Sequence, residues 1–184
     1  SSEHLIMMVS DFLDISRIES GDMNYNFADV DMKKLVLDTV DGMKQSATHS
    51  HLDLYLTVEG KEEASFITIG DEGKLRQVIS NLIDNSIKYT PRGEIQTCLS
   101  KSSDGKKIIF SLSDTGIGMS PDTLEKIFKK FSRAEGVNKV YTEGTGLGLY
   151  VAKEIIKKHE GRIWAKSDGE GTGSSFYVEL DAKQ

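Results

Sequence analysis

The stretch Asn81-Leu82-Ile83-Asp84-Asn85-Ser86-Ile87-Lys88-Tyr89-Thr90 decides how this chain is read. On a helix turning about 100° per residue, Leu75, Val78, Ile79, Leu82, Ile83 and Ser86 fall on one side, and Asn81, Asn85 and Lys88 fall nearly opposite. Asparagine is a middling helix former, so two of them one turn apart gain nothing locally. An amide oxygen is, however, a hard donor suited to Mg²⁺, and a lysine one turn further on meets a phosphate as a point charge. On spacing alone, an ordinary solvated face is an equal alternative.

Two glycine loops follow. Asp114-Thr115-Gly116-Ile117-Gly118-Met119 comes after a strand pattern at Ile108, Ile109, Phe110 and Leu112. An aspartate at a strand end can accept from an exocyclic amine, and glycines let a planar ring approach the backbone. A plain tight turn is the alternative. Gly144-Thr145-Gly146-Leu147-Gly148-Leu149 opens a helix with apolar residues at Leu149, Ala152, Ile155 and Ile156. A helix N-terminus presents N–H groups and a positive dipole end to phosphate. This loop lacks the lysine and spacing of a Walker loop. Leu149 stands where a GxGxxG loop needs its last glycine, and no parallel βαβ unit is read before it, so a Rossmann reading fails.

Working outward, residues 3–20 read as a helix with a broad apolar face at Leu5, Ile6, Val9, Phe12 and Leu13. Leu5, Val9, Phe12, Ser16 and Glu19 recur at steps of four and three, a seam suited to a partner helix, and Gly21 is a stop. Docking of this helix on its own domain is the alternative. Alternation from Met23 to Val30 reads as a strand, and Asp31 caps a helix over 32–48. Strands are expected at 52–58 and 65–69, then a helix from a cap at Asp71 to Tyr89, stopped before Pro91. Segments 94–102 and 106–113 read as a hairpin around Ser103-Asp104-Gly105. A polar stretch over 119–143 holds a short helix near 122–129, and a long helix covers 145–159. Strands at 161–167 and 174–181 close the chain. The pattern is α+β: a two-layer sandwich of a mixed, mostly antiparallel sheet packed on helices, preceded by one N-terminal helix.

A chain of 184 residues buries a sizeable core without staples. No apolar run reaches the roughly 18 residues of a membrane span. The lone Cys98 forms no internal disulfide, which suits a reducing, cytoplasmic setting. Twenty-three basic residues face 29 acidic ones, a formal charge of −6, and no long basic stripe points to nucleic acid. The nearest basic cluster, Lys126, Lys129, Lys130 and Arg133, is either a solvated face or a phosphate neighbour.

Each motif is modest alone, but their order and spacing are specific. The chain resembles the ATP-binding catalytic domain of a bacterial sensor histidine kinase, in the gyrase–Hsp90–histidine kinase–MutL superfamily with the Bergerat fold. The resemblance covers residues 21 to 181. The family's asparagine box corresponds to Asn81–Tyr89 and its first glycine box to Asp114–Gly118. Its phenylalanine box corresponds to Phe128-Lys129-Lys130-Phe131-Ser132-Arg133, and its second glycine box to Gly144–Leu149. Gly171-Thr172-Gly173-Ser174 resembles the last glycine segment, and Gly161-Arg162-Ile163-Trp164 the penultimate strand. In the phenylalanine box, Lys129-Lys130 replaces a frequent acidic-basic pair.

The resemblance implies roles for individual residues. Asn85 would ligate Mg²⁺, with Asn81 assisting; Lys88 and Arg133 would neutralise phosphate oxygens. Asp114 would accept from the adenine amine, with Ser174 acting through water. Tyr89 and Ile117 would pack on the ring, with Gly116 and Gly118 allowing its approach. The N–H groups around Gly144, Thr145, Gly146, Leu147, Gly148 and Leu149 would hold the phosphates, under a mobile lid at 119–143. The chemistry would be phosphoryl transfer by positioning and charge neutralisation.

Residues 1–21 resemble the end of a dimerisation hairpin's second helix, and 22–184 the catalytic domain. The hairpin's phosphoacceptor histidine has no match. His4 lacks the flanking motif, His49 and His51 end a helix, and His159 ends another where a positive charge is useful. The resemblance therefore implies a chain that binds Mg-ATP and does not autophosphorylate. It also implies a response regulator as partner and a homodimeric parent, membrane-anchored or not, with no membrane contact by this segment. Three other readings stand beside it. One is an ATP-dependent switch, disfavoured because Asn81 stands where hydrolysing relatives place a glutamate. Another is a serine kinase of the anti-sigma type. The last is an interaction module with a decayed site.

Overall fold

The structure is a computed structural model describing residues 2–61, 64–132 and 146–183, without the side chains of 2–8, 10 and 11. Leu5, Ile6 and His4, expected on the first helix, therefore fall outside the described side chains.

Helix α1 (Ser2–Ser20) leads into β1 (Ala28–Asp31), α2 (Met32–His49), β2 (Leu52–Val58), β3 (Ile67–Gly70) and α3 (Glu72–Tyr89). Then come β4 (Gly93–Lys101), β5 (Lys107–Asp114), α4 (Pro121–Lys126), α5 (Gly148–Lys158), β6 (Arg162–Lys166) and β7 (Ser174–Asp181). Helices α2 and α3 begin at side-chain caps. Asp31 accepts from the backbone N–H groups of Lys33 and Lys34, and Asp71 accepts from that of Lys74 at 3.0 Å. These bonds satisfy donors that the first helical turn leaves open.

The main sheet has the order β2-β4-β5-β7-β6. All its pairs are antiparallel except β2 with β4, which run parallel in the register Leu54↔Ile95. This parallel crossover through β3 and α3 corrects the expectation that no such unit precedes the second glycine loop. The antiparallel remainder still sets the sheet apart from a doubly wound one. One face buries Ile95, Leu99, Ile108, Phe110, Leu112, Phe176 and Val178 against Leu75, Ile79, Leu82 and Ile83 of α3 and Val151, Ile155 and Ile156 of α5. Period-two burial on the strands and period-3.6 burial on the helices meet in this one core. On the opposite face the rings of Trp164 and Tyr177 stack 5.1 Å apart at 9°, with Arg162 over the first and Lys166 over the second.

Two boundaries and the role of one residue also depart from expectation. The strand expected over 23–30 is only 28–31, and it pairs with β3 in a separate two-stranded sheet. Tyr25 and Phe27 supply the alternation upstream of it by packing their rings on His159, at 5.9 and 4.9 Å. Helix α5 starts at Gly148, because Gly146 has φ +68°, outside the right-handed helical region. His159 does not act as a helix-end cation. Burial lowers its pKa, and it is tied by both ring nitrogens.

Helix α1 docks by the face opposite to its heptad-like seam. Asp14 and Ile15 are buried, whereas Val9, Phe12 and Leu13 are exposed. Asp14 accepts from Gln77 Nε2 at 2.6 Å and lies 3.7 Å from Lys74 Nζ, both on α3. Glu19 pairs with Lys130. No described helix is long and apolar enough to cross a membrane.

Candidate functional site

The C-terminal end of α3, the end of β5, α4 and the starts of α5 and β7 converge on one cavity. Asn85, Tyr89, Asp114, Ile117, Gly118, Leu149 and Ser174 line it, joined by Met119, Thr123, Ile127, Ser132 and Phe176. Walls of this kind, mostly apolar with a few convergent polar groups, suit a small organic ligand.

Asp114 is the buried polar centre. Its Oδ1 accepts from the Gly116 N–H at 2.9 Å and the Ser174 N–H at 3.1 Å; its Oδ2 accepts from Ser86 Oγ at 2.9 Å. Burial pushes the carboxyl above its ordinary value, and these three hydrogen bonds oppose that shift.

The loop after Asp114 cannot carry side chains at its glycines. A Cβ on Gly116 would lie 2.4 Å from the Tyr89 carbonyl oxygen. One on Gly118, where φ is +67°, would lie 2.0 Å from the Gly169 carbonyl oxygen. The same closeness permits the bonds that hold the loop: Ile117 N–H donates to the Tyr89 carbonyl at 3.0 Å, and Gly171 N–H donates to the Ile117 carbonyl at 2.6 Å. Ser167 Oγ accepts from Met119 N–H at 2.9 Å and donates to the Gly173 carbonyl at 2.8 Å. It thereby joins the first glycine loop to the last.

The expected site residues divide into groups. Asn85, Tyr89, Asp114, Ile117, Gly118, Leu149 and Ser174 share the cavity, and Gly116 lies behind its wall. Asn81 is not part of the lining; its Nδ2 donates to the Gly148 carbonyl at 3.1 Å and ties α3 to the start of α5. Lys88 Nζ lies 5.4 Å from the centre of the Tyr89 ring. Gly146, Leu147 and Gly148 enter α5 beside the cavity, with no side-chain cap at Leu147. Arg133, Gly144, Thr145 and the lid beyond Ser132 lie outside the described residues. Ser86 and Ser167 were missed as site residues. Ser86 sits on the apolar side of α3 by periodicity, and no local signal shows that this side also reaches Asp114. Ser167 has no motif around it.

Among the described residues, no group of three or more His, Cys, Asp or Glu forms a ready metal cage. The donor set still fits Mg²⁺ arriving with a ligand, since one amide oxygen on the wall, at Asn85, suffices when phosphate and water oxygens complete the shell.

Comparison with known proteins agrees with this geometry. The profile of the family described as "Histidine kinase-, DNA gyrase B-, and HSP90-like ATPase" matches residues 70–184. Hybrid signal transduction histidine kinase L of Dictyostelium discoideum is 35% identical over 188 aligned positions, covering 100% of this chain and 11% of that protein. Sensor histidine kinase WalK of Bacillus subtilis is 30% identical, covering 100% of this chain and 30% of that protein. The chain thus spans a minor part of these relatives' length. The crystal structure of full-length ShkA in complex with AMPPNP superposes with TM-score 0.82 at 27% identity, over 98% of this chain and 36% of that one. The Acinetobacter baumannii histidine kinase AdeS shares the fold, with TM-score 0.77 at 24% identity over 100% of this chain and 81% of that one. A polar-centred cavity between α3, β5 and β7, together with a family match over most of the chain, makes this protein a member of the histidine kinase-, DNA gyrase B- and HSP90-like ATPase family.

Proposed function

We propose that the chain is the Mg-ATP-binding catalytic domain of a sensor histidine kinase, presenting the γ-phosphate to a histidine on a helical hairpin of which α1 is the second helix. The observation that carries this reading is Asp114, a buried carboxylate to which the described residues leave one acceptor position open, at the base of a cavity walled by Tyr89, Ile117 and Leu149. Asp114 accepts from the adenine amine, with Ser174 assisting through water, and Tyr89 and Ile117 pack on the ring. Asn85 would hold Mg²⁺, and the ion would supply positive charge beside the phosphate oxygens. Lys88 and Arg133 add positive charge, and the N–H groups entering α5 orient the phosphate chain. An imidazole nitrogen of the acceptor attacks the γ-phosphorus, the bond to the β–γ bridging oxygen breaks, and ADP leaves with the electron pair. A carboxylate beside the acceptor takes the imidazole proton.

An acceptor other than His159 is supported by the burial of His159 and the engagement of both its ring nitrogens. Hydrolysis is disfavoured because Asn81, tied to Gly148, offers no carboxylate to activate water. The parent acts as a cytoplasmic-side homodimer that passes its phosphoryl group to a response regulator.

Calorimetric titration with a non-hydrolysable ATP analogue, with and without Mg²⁺, tests the site. Saturable binding that is lost in Asp114→Ala supports it. Absence of binding up to millimolar ligand overturns it.

A further inference from the structure

Ser86 is fully buried on α3, on the side that otherwise packs the apolar core. A hydroxyl there needs a partner, and it has one in Asp114 Oδ2 at 2.9 Å. The consequence lies in how Asp114 is used up. An ionised carboxylate offers about four acceptor positions. The Gly116 and Ser174 N–H groups take both positions of Oδ1, and Ser86 takes one of Oδ2. Among the described residues, a single acceptor position is left, on Oδ2.

We propose that Ser86 is a positioning residue that determines base specificity: by donating to Asp114 it keeps that carboxylate an acceptor with one open position, so the cavity takes a purine bearing an exocyclic amine at the ring carbon that reaches Oδ2 and rejects one bearing an oxo group there. The inference rests on the nucleotide reading above. A 6-oxo group is itself an acceptor. Facing the open position of an ionised Asp114, it meets a second acceptor and the two groups form no hydrogen bond with each other, the situation in which polar sites discriminate most strongly. A protonated Asp114 behaves oppositely, because its O–H can donate to an oxo group. The groups acting on this choice are the Ser86 hydroxyl from α3, the Gly116 N–H from the loop and the Ser174 N–H from β7, all favouring the anion against burial. Removing Ser86 takes away the one side-chain donor of the three and opens a second position on Oδ2.

The test is calorimetric titration of this protein and its Ser86→Ala and Ser86→Cys variants with ATP and with inosine triphosphate, which carries a 6-oxo group in place of the amine. Each is run from mildly acidic to mildly alkaline buffer, with thermal melting to show that the variants are folded. The unsubstituted protein should favour ATP strongly at all these pH values. Ser86→Ala should lose at least about tenfold of that preference. The loss should be greatest in acid and should recover as pH rises and Asp114 ionises. Ser86→Cys, a weaker donor of similar size, should fall between the two, and it carries the test if the alanine variant does not fold. A purely structural role for Ser86 would lower affinity for both nucleotides alike, leaving their ratio and its pH profile unchanged; that result overturns the inference. An unsubstituted protein that binds neither nucleotide overturns the nucleotide reading itself, and the inference with it.

Discussion

His159 Nε2 accepts a hydrogen bond from the Asp71 backbone N–H at 2.9 Å, while Nδ1 donates to the Ile155 carbonyl at 2.8 Å. The ring therefore bridges the end of α5 to the residue that caps α3, the helix carrying Asn85. Only the neutral tautomer with its proton on Nδ1 fits, because a protonated ring would point a second N–H at the Asp71 N–H.

A pH dependence of stability follows. Burial lowers the His159 pKa below its ordinary value of 6.5. The folded state binds fewer protons than the unfolded state, so the stabilisation is fully present above 6.5 and is lost as pH falls through the folded value. Denaturant unfolding across this range should show the decline, and His159→Phe should remove it. The substitution should cost about 1–3 kcal/mol at neutral pH by orphaning the Asp71 N–H. Parallel profiles for the two proteins would exclude His159 as the titrating group.

Gly118→Ala should damage the site more than the fold. At φ +67°, with a Cβ 2.0 Å from the Gly169 carbonyl oxygen, the loop must move. The cost is about 1–3 kcal/mol of backbone strain. Nucleotide titration should show binding lost in protein whose circular dichroism still reports the native sheet. Intact binding would mean that the loop can shift without displacing Ile117.

Asn85 lines the cavity and lies outside the buried core. Asn85→Ala should change stability by no more than about 0.5 kcal/mol. It should abolish the Mg²⁺-dependent part of nucleotide affinity. If titrations with and without Mg²⁺ still differ as in the unsubstituted protein, Asn85 is not the ligand.

Asp14 is the polar anchor of α1, buried against Gln77 and Lys74. Asp14→Ala leaves the Gln77 amide without this partner, at a cost of about 1–3 kcal/mol. Hydrogen exchange should quicken in α1 while α3 and the sheet keep their protection. Unchanged exchange in the variant would show that Asp14 does not anchor the helix.

Much of the fold was legible because its signals are local. Asp31 and Asp71 announce two helix starts by their own side-chain chemistry, and Leu75, Val78, Leu82 and Ile83 mark the buried face of α3 by period alone. The strand expected at 23–30 failed because alternation does not say what a side chain packs on, and Tyr25 and Phe27 rest their rings on a histidine instead of a neighbouring strand. The α1 seam shows in another way what a local signal leaves open. Its apolar spacing at Val9 and Phe12 is real, yet the domain is held by Asp14 and Ile15 on another face.

By itself the sequence determined the α+β class, the glycine turn after β5 and the place of Asp114 at that strand's end, because caps, turns and periodic burial depend on neighbours a few residues away. Only the tertiary structure decided that β2 runs parallel to β4, that His159 is neutral, that Asn81 grips Gly148, and that Ser86 donates to Asp114. Each of these joins residues far apart in the chain, and their bonds exist only once the helices have packed on the sheet and excluded the water that would otherwise satisfy them.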